Sequence, residues 1–174
     1  MKTIKFLAAV VLLTVFSTNL KAEFIRAEVQ VSGLTCSMCQ LATEKSLKTL
    51  DFISEIKPDL NKNVYIVTFK KGKAVNLDLI KKKVKDAGFS VSKLVAVFDF
   101  DNVKVTNAYT YKFGGNNYYF MNVPAKTLNG ITRLTILDKD FVPAADYKKM
   151  AASNKAPSYK TGQTGTVRTY HVTI

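Results

Sequence analysis

An α+β fold is predicted for this 174-residue chain, with a β-α-β-β-α-β unit over residues 23–95 and a small β-rich part over 96–174. Three observations predict it. Runs of alternating apolar and polar residues open and close the first part. Two amphipathic stretches, each preceded by capping residues and followed by Gly or a polar turn, lie between them. Beyond Val97 short strand-like runs recur between Gly- and Asn-rich turns.

The amino terminus reads as an address. Met1-Lys2-Thr3-Ile4-Lys5 is followed by an apolar run from Phe6 to Phe16, interrupted only by Thr14, and then by Ser17-Thr18-Asn19 and the small Ala22. That is the layout of a secretory signal peptide over residues 1–22, cut before Glu23, although Leu20 stands where a second small residue is preferred. The run is shorter than the roughly 20 residues that cross a bilayer, so no stable membrane insertion is expected after cleavage. No cysteine lies near the boundary to carry a lipid. The expected location is exported, periplasmic or secreted.

Loss of Lys2, Lys5 and Lys21 with the leader lowers the net charge from +13 to +10. The remaining excess is divided evenly, +5 on each side of residue 95, so no basic groove is concentrated in either half. An exported basic protein meets anionic surfaces and acidic partners. Nucleic acid is not expected as a partner.

The elements follow in order. Phe24 to Val31 alternates, with Ile25, Ala27, Val29 and Val31 as the apolar face of a half-buried strand. Gly33 permits a turn, Thr35 is placed to cap, and a helix runs from about Ser37 to Leu50 with Met38, Leu41, Leu47 and Leu50 on its apolar side. Phe52 to Ile56 and Val64 to Phe69 are the second and third strands, separated by the turn after Pro58. Asn76 or Asp78 opens a second helix with Leu79, Ile80, Val84 and Ala87 as its stripe, and Gly88 ends it. Phe89 to Val97 makes the fourth strand. This order is the ferredoxin-like split unit, four antiparallel strands with both helices on one face.

In the second part, strand character appears at Val103–Tyr111, Asn117–Asn122, Ile131–Leu137 and Val167–Ile174. Gly114-Gly115 and Asn129-Gly130 read as turns, Pro143–Ala152 as a short helix, and Ser153–Gly165 as a loop. A barrel of the oligonucleotide/oligosaccharide-binding type is one architecture that such a pattern allows.

Both cysteines of the chain lie in Gly33-Leu34-Thr35-Cys36-Ser37-Met38-Cys39. Two thiols spaced Cys-x-x-Cys at a loop-to-helix seam suit either one soft metal ion or a reversible disulfide. The unpaired N–H groups of a helix start favour thiolate, which is both ligand and nucleophile. Thiolates select Cu(I), and Hg(II) on the same softness; Zn(II) asks for four ligands and is less well served. Neither an acid nor a histidine neighbours the pair. A structural disulfide, an envelope thiol-disulfide oxidoreductase and an adaptor with a vestigial site are the other readings of the same residues.

On this motif the chain resembles the heavy-metal-associated domain family, whose pattern is Gly-Met-Thr-Cys-x-x-Cys after a first strand. Leu47, Leu50, Ile53, Ile56, Asp59-Leu60, Val64-Tyr65-Ile66-Val67 and Gly88-Phe89 extend the resemblance over residues 24–94. It implies a ferredoxin-like fold that binds one Cu(I) through Cys36 and Cys39 and passes it to a docked partner, with no enzymatic activity. It also implies that Leu34 is a buried tether under the metal loop and that Phe89 packs close to the site. An acidic protein or a metal-transporter domain is the expected partner, and a metal-bridged dimer is a further arrangement. Leu34 for Met, Thr43 for an apolar residue and Phe52 for Gly depart from the family pattern.

Other features read more plainly. Lys81-Lys82-Lys83 with Lys85 is a solvated helix face that would also suit an acidic partner. The aromatic group Tyr109, Tyr111, Phe113, Tyr118, Tyr119 and Phe120 is expected to be half core. Met38, Met121 and Met150 read as packing residues, and His171, the single histidine, as a surface residue of an edge strand. No phosphate-binding loop and no hydrolytic constellation stands out.

Overall fold

In a computed structural model of the chain, residues 22–59 and 61–174 are described; the leader lies outside them except for Ala22. The described strands are β1 (Ala22–Ser32), β2 (Ile53–Asp59), β3 (Val64–Phe69), β4 (Ser90–Val105), β5 (Thr110–Phe113), β6 (Asn116–Phe120), β7 (Lys126–Ile136), β8 (Gln163–Thr164) and β9 (Val167–Thr173). Four helices join them: α1 (Ser37–Lys48), α2 (Leu77–Asp86), α3 (Ala144–Ser153) and α4 (Pro157–Thr161). Among these residues no helix is long and apolar enough to cross a membrane.

The first six elements follow the expected β-α-β-β-α-β order. β1 lies between β3 and β4 and is antiparallel to both, and β2 pairs antiparallel with β3 at the outer edge. The face predicted for β1 is only partly the one observed. A bulge between Phe24 and Arg26 shifts the register, so Phe24 is buried and Ile25 is the residue displaced from the alternation. An extra residue in one strand reverses which side chains point inward, and no periodicity upstream of it announces the change. Phe24 then stacks on Phe98 of β4 with ring centroids 4.3 Å apart.

Both helices lean on the same apolar layer. In α2 the buried stripe is Leu77, Ile80 and Val84, the spacing of one helical face, and Leu79 is exposed, contrary to the predicted stripe. Asn76 caps it, its Oδ1 accepting from Leu79 N–H at 3.2 Å. α1 buries only Thr43 and Leu47 along its length; Met38 is 73% exposed and Leu41 42%, so neither packs as expected.

The sheet does not stop at residue 95. β4 continues to Val105 and pairs with β7 from Val95 onward, sharing Val95–Phe100 with β1, and the order runs on as β4-β7-β9-β6-β5. β6 and β9 are parallel; the other named pairs of the sheet are antiparallel. In a flat sheet β5 would lie about 19 Å from β4, four strand spacings away. Yet Phe98 and Phe113 are 5.4 Å apart, as are Phe100 and Tyr111. The sheet therefore curls back over its own aromatic face. It does not close: β2 and β5 remain the two ends of the strand order. The result is an open roll, not the barrel the sequence pattern allowed.

Two local readings change with it. Gly114 and Gly115 turn β5 into β6 with φ of 57° and 79°, the positive pair that the mirror-type hairpin turn requires. Asn129-Gly130, by contrast, is not a turn: it lies inside β7 opposite a bulge in β4 at Asp101-Asn102. α3 begins where Pro143 predicted, and the stretch expected to be loop holds α4 and β8.

Alternation along β6 and β7 divides the roll's two faces. Tyr118, Phe120 and Ile136 join the main core with α1 and α2, whereas Met121 and Leu137 point away, into a smaller cluster with Tyr159, Tyr147 and Met150 beneath α3 and α4. Met121 and Met150 thus pack as expected. His171 does not lie on a surface: it is fully buried in β9, which pairs with both β6 and β7.

Candidate metal centre

Gly33 ends the β1 connection with φ +88°, a conformation that side chains rarely adopt, and its Cα faces the Phe89 ring. Leu34 turns inward and is buried, and Phe89 packs on the core beside it, as the resemblance implied. The loop that follows is consequently pinned from below. Cys36, not Thr35, is the helix cap: its backbone is extended, and its Sγ accepts from Cys39 N–H at 3.2 Å. A thiol cap leaves the sulfur at the positive end of the helix, where negative charge is favoured. The α1 first turn carries no acidic residue to oppose it.

Cys36 is exposed and Cys39 half-buried, and no disulfide joins them. The pair share one interaction with opposite consequences. The hydrogen bond from the Cys39 side chain, helped by its backbone N–H, holds the Cys36 thiol below its ordinary value. That same contact raises Cys39, with burial and the Cys36 charge adding to it. Of the two thiols at the helix start, Cys36 is the one lowered, first by the Cys39 side chain and then by the Cys39 backbone N–H. A two-sulfur site results in which Cys36 is the more readily deprotonated of the pair.

Residues beneath hold the first turn in place. Thr43, fully buried in the helix, donates its hydroxyl to the Cys39 carbonyl at 3.1 Å, and Tyr65 of β3 donates to the Gln40 carbonyl at 3.0 Å. Thr43 satisfies its hydroxyl locally, which explains how a polar residue occupies a position of the core. Among the described residues no group of three or more His, Cys, Asp or Glu side chains is placed to hold an ion. The donor set at this loop is two sulfurs.

The heavy-metal-associated domain family matches residues 28–90. This segment of the chain is a heavy-metal-associated domain. Among solved structures the chain is similar to apo-CopP from Helicobacter pylori, with 31% identity over 38% of this chain and 98% of that one, TM-score 0.34. It is also similar to the yeast copper transporter domain Ccc2a, with 29% identity over 37% of this chain and 88% of that one, TM-score 0.34. Oxidized MerP from Ralstonia metallidurans CH34 shares 24% identity over 41% of this chain and 94% of that one, TM-score 0.35. No curated protein matches the chain.

Outside the heavy-metal-associated domain, the fold gathers a polar chain that sequence reasoning did not find. Ser158 Oγ lies 2.9 Å from His171 Nε2, and His171 Nδ1 lies 3.0 Å from Asp138 Oδ1. The other carboxylate oxygen of Asp138 accepts the His171 backbone N–H at 2.8 Å. The order is that of nucleophile, base and orienting carboxylate, but the imidazole is wholly enclosed, flanked by Tyr119 and Tyr159. A general base must reach the leaving group as well as the nucleophile. Here Nε2 meets only Ser158, so the chain acts as an internal clamp of β9 to α4. Its three members are 13 and 33 residues apart, spacings that carry no local signal.

A second contact joins the two parts. Asp78, in the first turn of α2, receives Arg168 Nε at 2.7 Å and Nη2 at 3.3 Å, and the Tyr170 hydroxyl at 3.1 Å. Burial works to raise the Asp78 carboxyl, but Arg168 and Lys81 outweigh it and hold it below the usual range. Lys81 pairs with Asp78 at 3.1 Å and lies over the Phe141 ring. The first lysine of the predicted solvated run is thus turned toward its own chain, while Lys82 and Lys85 are exposed.

Proposed function

We propose that the chain is an exported, non-enzymatic carrier that holds one soft metal ion, Cu(I) in the first place, on Cys36 and Cys39 and hands it to a partner. One observation carries this reading: a heavy-metal-associated domain presents an accessible Cys-x-x-Cys pair at a helix start with two sulfurs as its whole described donor set. Two-coordinate thiolate suits Cu(I), or Hg(II), better than Zn(II). Binding releases the thiol protons, the one on Cys36 most readily, and transfer then needs only an incoming thiolate to displace one sulfur at a time. Exposure of Cys36 leaves room for that attack. Met38 and Leu41, three apart on α1 and both exposed, supply apolar surface beside the sulfurs, and Lys82 and Lys85 favour an acidic partner such as a transporter's metal-binding domain.

The test is anaerobic titration of the reduced protein with Cu(I) against a competing chelator, repeated with Hg(II), Zn(II) and the Cys36→Ser variant. One tight equivalent that the variant loses is expected, and sedimentation at half an equivalent reveals any metal-bridged dimer. A second reading has its own support: a lowered Cys36 beside a raised Cys39 is the asymmetry of a nucleophilic and a resolving thiol. Weak Cu(I) binding together with a reduction potential in the range of thiol oxidoreductases decides for that alternative.

A further inference from the structure

The curl of the sheet leaves a cavity of about 1,100 Å³ between β5 on one side and β1, β3 and the turn 70–73 on the other. It is remote from the cysteines, none of whose loop residues line it. Six rings form its walls: Phe24, Phe69, Phe100, Tyr111, Phe113 and Tyr118. Its size lies just above the range of small-molecule sites, roughly 300–1,000 Å³. Four of the rings are buried, and Tyr111 and Phe113 are half-buried at the opening.

The charges around it are arranged unequally. Glu23 and Asp99 are among its lining residues, each exposed between buried neighbours of its strand. Lys112 also lines it, exposed between the half-buried Tyr111 and Phe113. Asp101, in the β4 bulge, is exposed. The turn Lys70-Lys71-Gly72-Lys73 also lines it and carries three exposed lysines. Lys71 is drawn to Glu23 at 3.7 Å and Lys73 to Asp51 at 3.3 Å, exposed pairs that cost little to exchange.

We propose that this cavity binds a single-chain fatty carboxylate, its tail along the rings and its head at Lys70 and Lys73. Ring walls with a lysine-rich turn at one lip select an amphiphile over a uniformly polar or uniformly apolar molecule. Binding is independent of the metal site.

The experiment follows fluorescence of 11-(dansylamino)undecanoic acid on the purified full chain, with palmitate and hexadecanol as competitors. Palmitate is expected to displace the probe. Lys70→Glu with Lys73→Glu weakens palmitate about tenfold, the loss of two exposed contacts, while leaving hexadecanol as it was. Tyr111→Asp weakens both competitors, and Cys36→Ser changes neither. The variants also separate the cavity from any uptake by the apolar run Phe6–Phe16. The lysine pair lies on an exposed turn, so it tests the assignment even if Tyr111→Asp does not fold. No uptake overturns the proposal. Equal loss of palmitate and hexadecanol in the lysine variant, undiminished uptake in folded Tyr111→Asp, or binding to anionic vesicles without binding to free palmitate overturns it too.

Discussion

The loop at Cys36 and Cys39 and the chain Ser158–His171–Asp138 are both small groups of reactive side chains, and the fold treats them in opposite ways. The first pair is held by its backbone and by what packs underneath, Leu34, Phe89, Thr43 and Tyr65, while Cys36 is exposed and Cys39 half-buried. In the second, the side chains satisfy one another and the backbone, and the imidazole is closed off. Motif chemistry alone does not separate function from stability; access does. A reactive group left open costs little when removed and can exchange ligands, whereas an enclosed network supports the structure and cannot be broken cheaply.

The comparison can be broken by exchanging the expected effects. Cys36→Ser or Cys39→Ser should weaken Cu(I) at least about a thousandfold, since one thiolate is half of the donor set. For Cys36→Ser the melting temperature should move by no more than about 2 °C, as an exposed position allows. Chelator competition and calorimetry check the pair of statements, and a large loss of stability would mean that the loop is also structural. Asp138→Ala should do the reverse, costing about 3–5 kcal/mol in urea unfolding because a buried imidazole and an N–H lose their partner. Cu(I) affinity should stay within experimental error; a cost under about 1 kcal/mol would remove the clamp.

Two smaller effects sharpen the contrast. Asp78 titrates below the ordinary carboxylate value, so the unfolded chain binds its proton first as acid is added. The contribution is complete above about pH 3.9, the unfolded value, and is lost as pH falls through the lower folded one. Acid unfolding of Asp78→Asn should therefore be flatter in that window, and should match the parent slope if the contact is idle. Last, Cys36 should alkylate with iodoacetamide before Cys39 and at lower pH, since its thiolate is favoured and its sulfur is exposed. Peptide mass mapping at partial reaction reads the order, and preference for Cys39 would contradict the cap geometry.

Legibility differed between the two parts for a physical reason. In the heavy-metal-associated domain β3 alternates throughout and β1 from Ala27 onward, and Leu47, Leu50, Ile53 and Ile56 are buried where the pattern put them. Its errors are local: the bulge that exchanged Ile25 for Phe24, the cap that passed from Thr35 to Cys36, and the exposed Met38, Leu41 and Leu79. In the second part, pairing is less local. β6 finds β9 across some 47 residues, and β9 lies between β6 and β7. A histidine near the end of the chain is therefore central in the sheet, which no windowed pattern reveals.

The residues alone determined the order of the first six elements, the turn at Gly114-Gly115 and the placing of two thiols at a helix start, because each depends on neighbours within a few positions. Tertiary structure decided what distance in sequence conceals. It extended β4 into the second part, curled that sheet until Phe98 met Phe113, joined Asp78 to Arg168, and enclosed His171. Each of those outcomes is a contact between segments whose meeting is set by the packing of whole faces, and a face is completed only when the chain has folded.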